Sequence, residues 1–249
     1  MSGRRVFLVA NGPSLAHTPL DDLQGEEVWM MARIHLLYNR IQIRPTRYWW
    51  SDHPQDKQNM SDILWHIQEG YPCWIRRDVC EIITGKYVPA GDWAPAPQPL
   101  PTWVHPWEYC ITHNAGFIRN EDGTPDPRRP DGWHLDELGT LCKYGSGYNC
   151  MMQQAALEGY TDIYLVGADL GFKGRPSQDN DNLDLDHFDP KYNHRYASLA
   201  RAAMDNDTQN EMFRHALAWC APRGIRIWNA TRGGHLEVFP RVDFGEVLG

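Results

Sequence analysis

The stretch Arg5-Val-Phe-Leu-Val-Ala-Asn-Gly-Pro-Ser-Leu15 determines the fold class that the sequence predicts. Its first half contains four consecutive apolar residues, Val6 to Val9, a pattern typical of a central parallel strand that is covered on both faces. Asn, Gly and Pro follow at once, and these residues favour a tight turn. The sequence therefore predicts a buried strand over Arg5 to Ala10 with a loop at its carboxyl end.

Further strands alternate with helices along the rest of the chain. The clearest strand is Asp162 to Gly167, and similar patterns occur at Val28 to Ala32, Tyr48 to Trp50 and Ile225 to Trp228. This alternation predicts an α/β fold with a Rossmann-like, doubly wound, mostly parallel sheet. We expect one nucleotide-binding catalytic domain over residues 1–249.

Periodicity and end signals predict three of the helices. Within residues 55–69, apolar side chains recur at helical spacing, and Gly70 is well placed to end that helix. Ser146 is a suitable N-cap for a second helix, which Gly159 closes. A capping box at Thr208 to Glu211 predicts the start of a third.

Residues 89–135 differ in character from the rest of the chain. Half of the 18 prolines lie between Pro89 and Pro130, together with several Trp residues. Because proline is disfavoured in helices and central strands, the pattern predicts an irregular Pro/Trp-rich insert or lid. A second irregular segment, about 173–206, is expected to be an active-site loop.

Composition excludes several classes of function. The net charge of −8 leaves no basic stripe of the kind that nucleic-acid binding requires. The six cysteines form no CxxC pair, and no apolar run approaches the length of a membrane span. The chain begins without a signal peptide, so a cytoplasmic location is expected. Whether it forms a homo-oligomer is left open.

The first candidate site is the loop Asn11, Gly12, Pro13 and Ser14. In an open parallel sheet, ligands bind beyond the carboxyl ends of the strands. Glycine permits close approach of the backbone, and exposed N–H groups bind anions. The loop therefore predicts a phosphate site, although a simple turn would have the same sequence.

A second candidate lies at the predicted start of the helix after Ser146. Lys143, Gly145, Ser146 and Gly147 combine a cation, flexible backbone and a helix N-terminus, which together favour an anionic group. Again, a structural turn is an equal alternative for this segment alone.

Two polar residues follow predicted strands at the same edge. Asp169 comes after Asp162 to Gly167, and a carboxylate there can bind a ribose, hold a metal or cap a turn. Asn229 follows the last strand, where it can contact a base or sugar, and a lone turn would look the same. Both are candidate substrate-binding residues.

The segment around His187 contains the candidate catalytic groups. His187 is a potential general base, because histidine titrates near neutral pH. Tyr192, Arg195 and Tyr196 can stabilise a departing phosphate through hydrogen bonds. The alternative interpretation is a solvated acidic loop.

Taken together, these segments resemble bacterial sialyltransferases of the Campylobacter type, glycosyltransferase family 42. They also resemble the related DUF115 group, which includes motility-associated flagellin glycosyltransferases and MptE-like 6-hydroxymethylpterin diphosphokinases. The resemblance rests on the strand followed by Asn-Gly-Pro-Ser-Leu15, on Ser146-Gly147 before a helix, on Glu158 to Asp169, and on His187-Phe188. It covers the two ends of the chain and omits the proline-rich middle.

For the sialyltransferase branch, the resemblance implies inverting transfer from a CMP-activated, nonulosonic-acid-like sugar to an acceptor hydroxyl of a glycan, without a metal or other cofactor. The loop from Asn11 to Ser14 would contact the cytidylate, with Ser146 and Gly147 nearby. His187 would deprotonate the acceptor, and Tyr192 and Tyr196 would stabilise the phosphate.

The sequence departs from that branch in several places. Arg33 follows the second strand where those enzymes carry Asn, and Asp52 precedes His-Pro where they carry Asn-Pro. Lys143 and Gly145 replace their Arg and Thr. Because Asp52 is closer to the DUF115 side, an MptE-like diphosphokinase remains an alternative, with Mg²⁺ held by Asp52 and Asp169. A non-catalytic nucleotide-binding module is the third.

Overall fold

The central element of the fold is strand β1 (Arg5–Val9), whose backbone pairs on both sides with parallel neighbours. One neighbour is β2 (Val28–Met31) and the other is β7 (Asp162–Val166). This computed structural model describes residues 3–52, 54, 57–89, 93–109, 140–141, 146–171, 186–192 and 206–248. Within β1, the side chains of Val6 to Val9 are fully buried, as the apolar run predicts.

The sheet of the described residues has eight strands in the order β6-β5-β4-β3-β2-β1-β7-β8, and every pairing is parallel. The remaining strands are β3 (Arg47–Trp50), β4 (Cys73–Arg76), β5 (Val104–Tyr109), β6 (Thr140–Leu141) and β8 (Arg226–Asn229). From β1 the chain adds strands outward to β6, then returns to place β7 on the other side of β1.

Helices cover both faces of the sheet. The helices α1 (Lys57–Gln68), α2 (Arg77–Ile83) and α5 (Phe244–Leu248) contribute to the core on one face, and α3 (Gly147–Leu157) and α4 (Asn206–Cys220) to the core on the other. Alternate residues of β1 supply the two cores: Phe7 and Val9 point to the first, Val6 and Leu8 to the second. The predicted doubly wound α/β fold is therefore confirmed.

The proline-rich segment is more regular than predicted, because it contains β5 between β4 and β6. Pro106 lies within this strand, opposite Ile75 of β4. The carbonyl of Trp103 accepts the N–H of Cys73 at 2.8 Å, so alternate residues from 103 onward direct their backbone groups towards β4. Pro106 faces away from β4, at a level where β6 has not yet begun, and its missing N–H interrupts no described ladder.

Two other features of the fold differ from the predictions: two elements that the sequence does not predict, and the first residue of one helix. Helix α2 and strand β4 have no counterpart among the predicted elements. Helix α4 begins at Asn206, two residues before the capping-box threonine. Among the described residues, no helix has the length and apolar character needed to cross a bilayer.

Candidate functional site

The topology creates a crevice between β1 and β7. These neighbouring strands feed loops that leave in opposite directions, one towards β2 and the other towards β8. Such a switch point is where doubly wound sheets bind ligands, at the carboxyl ends of the strands. The loop from Asn11 to Ser14 follows β1, and the loop from Gly167 to Gly171 follows β7, so both lie at this crevice.

Glycine is required at position 12 by close packing between the two loops. The N–H of Gly12 donates to the carbonyl of Gly167 at 2.9 Å. A Cβ atom at Gly12 would overlap the Asp169 carboxylate and lie 2.6 Å from the Gly167 oxygen. Pro13 then begins a short 3₁₀ helix, Pro13–His17. The close approach predicted for this glycine is present, with the loop after β7 as its neighbour.

Ser14 is bound to Asp169. Its N–H donates to Asp169 Oδ1 at 3.1 Å, and its hydroxyl donates to Oδ2 at 2.7 Å. The two donors that the sequence predicts for a substrate phosphate therefore hold a carboxylate of this chain. A phosphate can reach these donors only if Asp169 moves away, because two anions repel each other at such distances.

The loop that carries Asp169 has an unusual backbone. Leu170 adopts a left-handed conformation with φ of 54°, between Gly167 and Gly171, which also have positive φ. For a residue other than glycine, this costs about 1–3 kcal/mol and is common at functional sites. The N–H of His235, after β8, donates to the Asp169 carbonyl at 2.6 Å and supports the turn. Asp169 thus lies between the loops of three adjacent strands.

Asn11 provides a buried acceptor at the crevice. The residue is 8% exposed, and its Oδ1 atom has no hydrogen-bond partner within the part of the chain that the structure describes. A buried acceptor left unpaired costs about 1–3 kcal/mol, so its presence needs a reason. A ligand hydroxyl or amino group would satisfy it.

His187 lies beside this loop. The N–H of the next residue, Phe188, donates to the backbone carbonyl of Asn11 at 3.1 Å. Phe188 is buried, and the His187 ring stacks on Tyr192 with centroids 4.0 Å apart and planes inclined by 2°. The structure therefore brings together two groups that are far apart in sequence, the Asn11 loop and the His187 ring.

Tyr192 is held by Arg33. The Tyr192 hydroxyl accepts the Arg33 N–H at 3.4 Å, and the Arg33 guanidinium donates to the Tyr192 carbonyl. Tyr192 is 7% exposed, so it is mainly a packing residue of this segment. Arg33 is also buried, and its charge is directed at protein groups, not at the open crevice.

Asp62 on α1 neutralises Arg33. Its Oδ2 accepts from Arg33 Nε at 2.9 Å, its Oδ1 lies 3.3 Å from His35 Nε2, and Gln58 donates to the same Oδ1 at 2.8 Å. Burial alone would raise the pKa of Asp62, but the hydrogen bonds from His35 and Gln58 and the charge of Arg33 lower it below its usual value. The carboxylate therefore stays ionised.

Ser51, Asp52 and the start of α3 meet at the end of β3. A Cβ atom at Gly147 would overlap the side chain of Ser51, so only glycine allows this approach. Ser146 occupies the predicted N-cap position, although its side chain makes no capping hydrogen bond. Asp52 is exposed, and its carbonyl accepts from Trp50 Nε1 at 2.7 Å. The α3 N-terminus therefore lies at the same sheet edge as the Asn11 loop.

Asn229 is engaged by the loop that follows β8. It is fully buried, its Nδ2 donates to the Leu236 carbonyl at 2.7 Å, and its Oδ1 accepts the Thr231 N–H at 3.0 Å. Both ends of the amide therefore shape the loop after β8. The contact of Asn229 with a base or sugar stays a prediction, and in this structure its amide bonds the groups of its own loop.

Lys143, Gly145, Arg195 and Tyr196 lie outside the described residues. Within the described ranges, no group of three or more His, Cys, Asp or Glu residues could hold a metal ion. Sequence reasoning missed Asp62 and His35. The available signal was Asp62 among the apolar residues of α1, one position before Ile63, where a buried carboxylate needs a cationic partner.

No protein-family model matches the sequence, and no curated protein matches it. Among solved structures, the fold is similar to that of the MAf glycosyltransferase from Magnetospirillum magneticum AMB-1, with a TM-score of 0.47 and 13% identity. The alignment covers 97% of this chain and 34% of that protein, so this chain spans about a third of its length. Similarity at this level carries no argument about function.

Asp62 should make stability dependent on pH in acid. Its folded pKa lies below the unfolded value of 3.8, so its contribution is complete above that value and is lost as the pH falls through the folded pKa. We expect Asp62→Asn to leave Arg33 buried without its counter-ion and to lower the free energy of unfolding by roughly 3–5 kcal/mol at pH 7. Urea unfolding at several pH values measures both effects.

Asp22→Asn is the matched control, because Asp22 is exposed. It should unfold like the parent chain throughout the pH range. Equal stability of Asp62→Asn and the parent at pH 7 would contradict the assignment of Asp62 as the counter-ion.

Proposed function

We propose that this chain is a glycosyltransferase, which moves a sugar of the nonulosonic-acid type from a CMP-activated donor to an acceptor hydroxyl with inversion. His187 is the general base in this proposal, and the loop from Asn11 to Ser14 contacts the nucleotide. The resemblance of the strand–Asn-Gly-Pro-Ser loop and of His187-Phe188 to family 42 sialyltransferases gives the reaction class.

One observation carries the proposal. The hydrogen bond from Phe188 to Asn11 holds a partly exposed histidine at the β1–β7 switch point, the position where nucleotides bind in doubly wound sheets. The unpaired Oδ1 of Asn11 adds support, because a ribose hydroxyl or a base amino group is a donor that fits it.

The proposed reaction is a single displacement. An acceptor hydroxyl loses its proton to the His187 imidazole as its oxygen bonds to the anomeric carbon of the donor sugar. The bond from that carbon to the phosphate oxygen breaks, its electron pair leaves with CMP, and His187 then releases the proton to solvent. Attack from the side opposite the leaving group inverts the configuration.

The departing phosphate needs positive charge or donors. In the proposal these come from the N-terminus of α3, at Ser146 and Gly147, and from Lys143, Arg195 and Tyr196. Arg33 is unsuited to this task because Asp62 already neutralises it. Tyr192 supports the ring of His187 and is a weaker candidate for phosphate contact than the sequence predicts, since it is buried.

The geometry gives the diphosphokinase alternative little support. Asp52 follows β3 and Asp169 follows β7, and β2 and β1 lie between them. At about 4.8 Å per strand, the two strand ends are about 14 Å apart. One Mg²⁺ ion needs oxygen ligands at about 2.1 Å, so strand ends with this separation do not favour a shared ion. Asp169 is also engaged by Ser14.

A nucleotide panel tests the donor. We expect CMP to raise the melting temperature of the chain more than CDP, UDP, GDP or ATP, with no requirement for Mg²⁺. At a hundred times the dissociation constant, binding adds about 2.7 kcal/mol to stability, which a thermal-shift assay detects easily. Stabilisation by ATP and Mg²⁺ alone would contradict the proposal and favour the diphosphokinase.

Two substitutions test the general base. Both His187→Ala and His187→Phe should lower turnover by about 10²–10⁴-fold, the typical contribution of a positioned base. The phenylalanine keeps a ring to stack on Tyr192, so its loss of activity reports the missing imidazole and not lost packing. Affinity for CMP, measured by calorimetry, should change little in either variant.

His105→Ala is the control, because His105 is an exposed residue of β5, which is four strands away from β1 in the sheet. Parent-like turnover of His187→Phe would remove His187 from the mechanism. The donor for these assays is the CMP-activated sugar, so they follow the nucleotide panel.

A further inference from the structure

A groove runs along the outside of α1, separate from the crevice between β1 and β7. It lies between α1 and the short 3₁₀ helix Ile34–Leu37, and its volume is about 560 Å³. This size falls within the range of small-molecule sites. The groove is lined mainly by polar and aromatic side chains, His35, Gln58, Ser61, Asp62, Trp65 and Gln68.

Trp65 provides an aromatic surface in the groove. Its side chain is 37% exposed, so one part of the indole is open to a ligand in the groove. The ring packs edge-on against His66, with the ring centroids 4.9 Å apart. It also packs against Tyr38 in a tilted arrangement, with the centroids 5.8 Å apart. These neighbours fix the plane of the indole. The C–H groups on one face of a pyranose ring pack well on such a surface, because the face of an aromatic ring carries partial negative charge.

The polar groups of the groove fit hydroxyls and not phosphates. Among the described residues that line it there is no Lys or Arg, and the Asp62 carboxylate is already paired with Arg33 and hydrogen-bonded to Gln58. An anion in the groove would therefore find no Lys or Arg side chain among these described lining residues to pair with. The amides of Gln58 and Gln68 and the hydroxyl of Ser61 are each able to donate and accept, as hydroxyl-rich ligands require.

A chain of side-chain contacts links the groove to the candidate active site. Asp62 forms its inner wall and contacts Arg33 at 2.9 Å. Arg33 in turn binds the Tyr192 carbonyl, and the Tyr192 ring stacks on His187. Two side chains therefore separate the inner wall of the groove from the proposed base.

We propose that this groove binds a neutral sugar residue of the acceptor glycan. The inference rests on the proposed function, since it assigns the groove to the second substrate of that reaction. The site would take an uncharged saccharide with a pyranose ring on Trp65 and its hydroxyls on the glutamines, while an adjoining sugar extends towards His187.

Saturation-transfer NMR with three neutral oligosaccharides, lactose, maltotriose and chitotriose, tests the groove. We expect at least one of them to receive saturation from the parent chain. Trp65→Ala should weaken its binding at least fivefold, and Trp65→Phe, which keeps an aromatic surface, should weaken it less. Ser61→Arg places a long side chain from an exposed position into the groove and should also block binding.

Trp103→Ala is the matched control, because Trp103 has a similar exposure of 39% and does not line this groove but the neighbouring pocket, which shares only Leu64 and Gln68 with it. It should bind the oligosaccharide like the parent. The inference is overturned if none of the three sugars binds, or if Trp65→Ala and Ser61→Arg bind as well as Trp103→Ala does.

Thermal shift with CMP, measured on the same variants, separates this failure from failure of the proposed function. CMP stabilisation of all variants without sugar binding would reject the groove alone. Sugar binding that is lost in Trp65→Ala, in a chain that CMP does not stabilise, would support a saccharide site while rejecting the CMP-dependent transferase.

Discussion

The fold depends on the pairing of β1 with β2 on one side and β7 on the other. Because the chain departs from β1 and β7 in opposite directions, a crevice forms where their carboxyl ends meet. The apolar run from Val6 to Val9 makes this possible, since a strand that is buried on both faces can stand in the middle of the sheet. The crevice thus exists because β1 is apolar enough to lie in the middle of the sheet, between β2 and β7.

Contacts between loops then give the crevice its chemistry. Gly12 lets the loop after β1 approach the loop after β7, and the pair Ser14 and Asp169 joins them. Phe188 binds the same loop through Asn11 and brings His187 with it. On the neighbouring side, Arg33 balances Asp62 and holds Tyr192. A buried charge pair therefore supports the segment that carries the histidine.

The sequence predicts the elements whose signals are local. β1 and β7 are continuous apolar runs, and α1 has a clear helical period. The predicted boundaries of all three therefore agree with the observed ones to within a few residues. The sequence does not predict β5, because high proline density argues against a strand, whereas the N–H that Pro106 lacks would face away from β4. The proposed site residues also carry local signals. Asn11 precedes Gly12 and Pro13 in a turn after a strand, and His187 precedes the aromatic Phe188.

Long-range contacts explain what the sequence does not reveal. Asn229 is a residue type that often binds ligands, but here its side-chain amide forms hydrogen bonds with the backbone of Thr231 and Leu236. Ser14 looks like a phosphate donor until Asp169, 155 positions away, is placed against it. Arg33 has the same ambiguity with Asp62. In each case, the partner of a polar group decides its role, and residue type alone does not identify that partner.

The register between β1 and β7 has a consequence for how this chain can change. Arg5 pairs with Asp162 and Val9 with Val166, and the same alignment brings Asp169 opposite Ser14. Sliding one strand by a single residue would displace the carboxylate by about 3.3 Å, more than the 2.7 Å length of its bond to the serine hydroxyl. An insertion or deletion between either strand and its loop would therefore separate Asp169 from Ser14, so the spacing from strand to loop has to be kept for this contact.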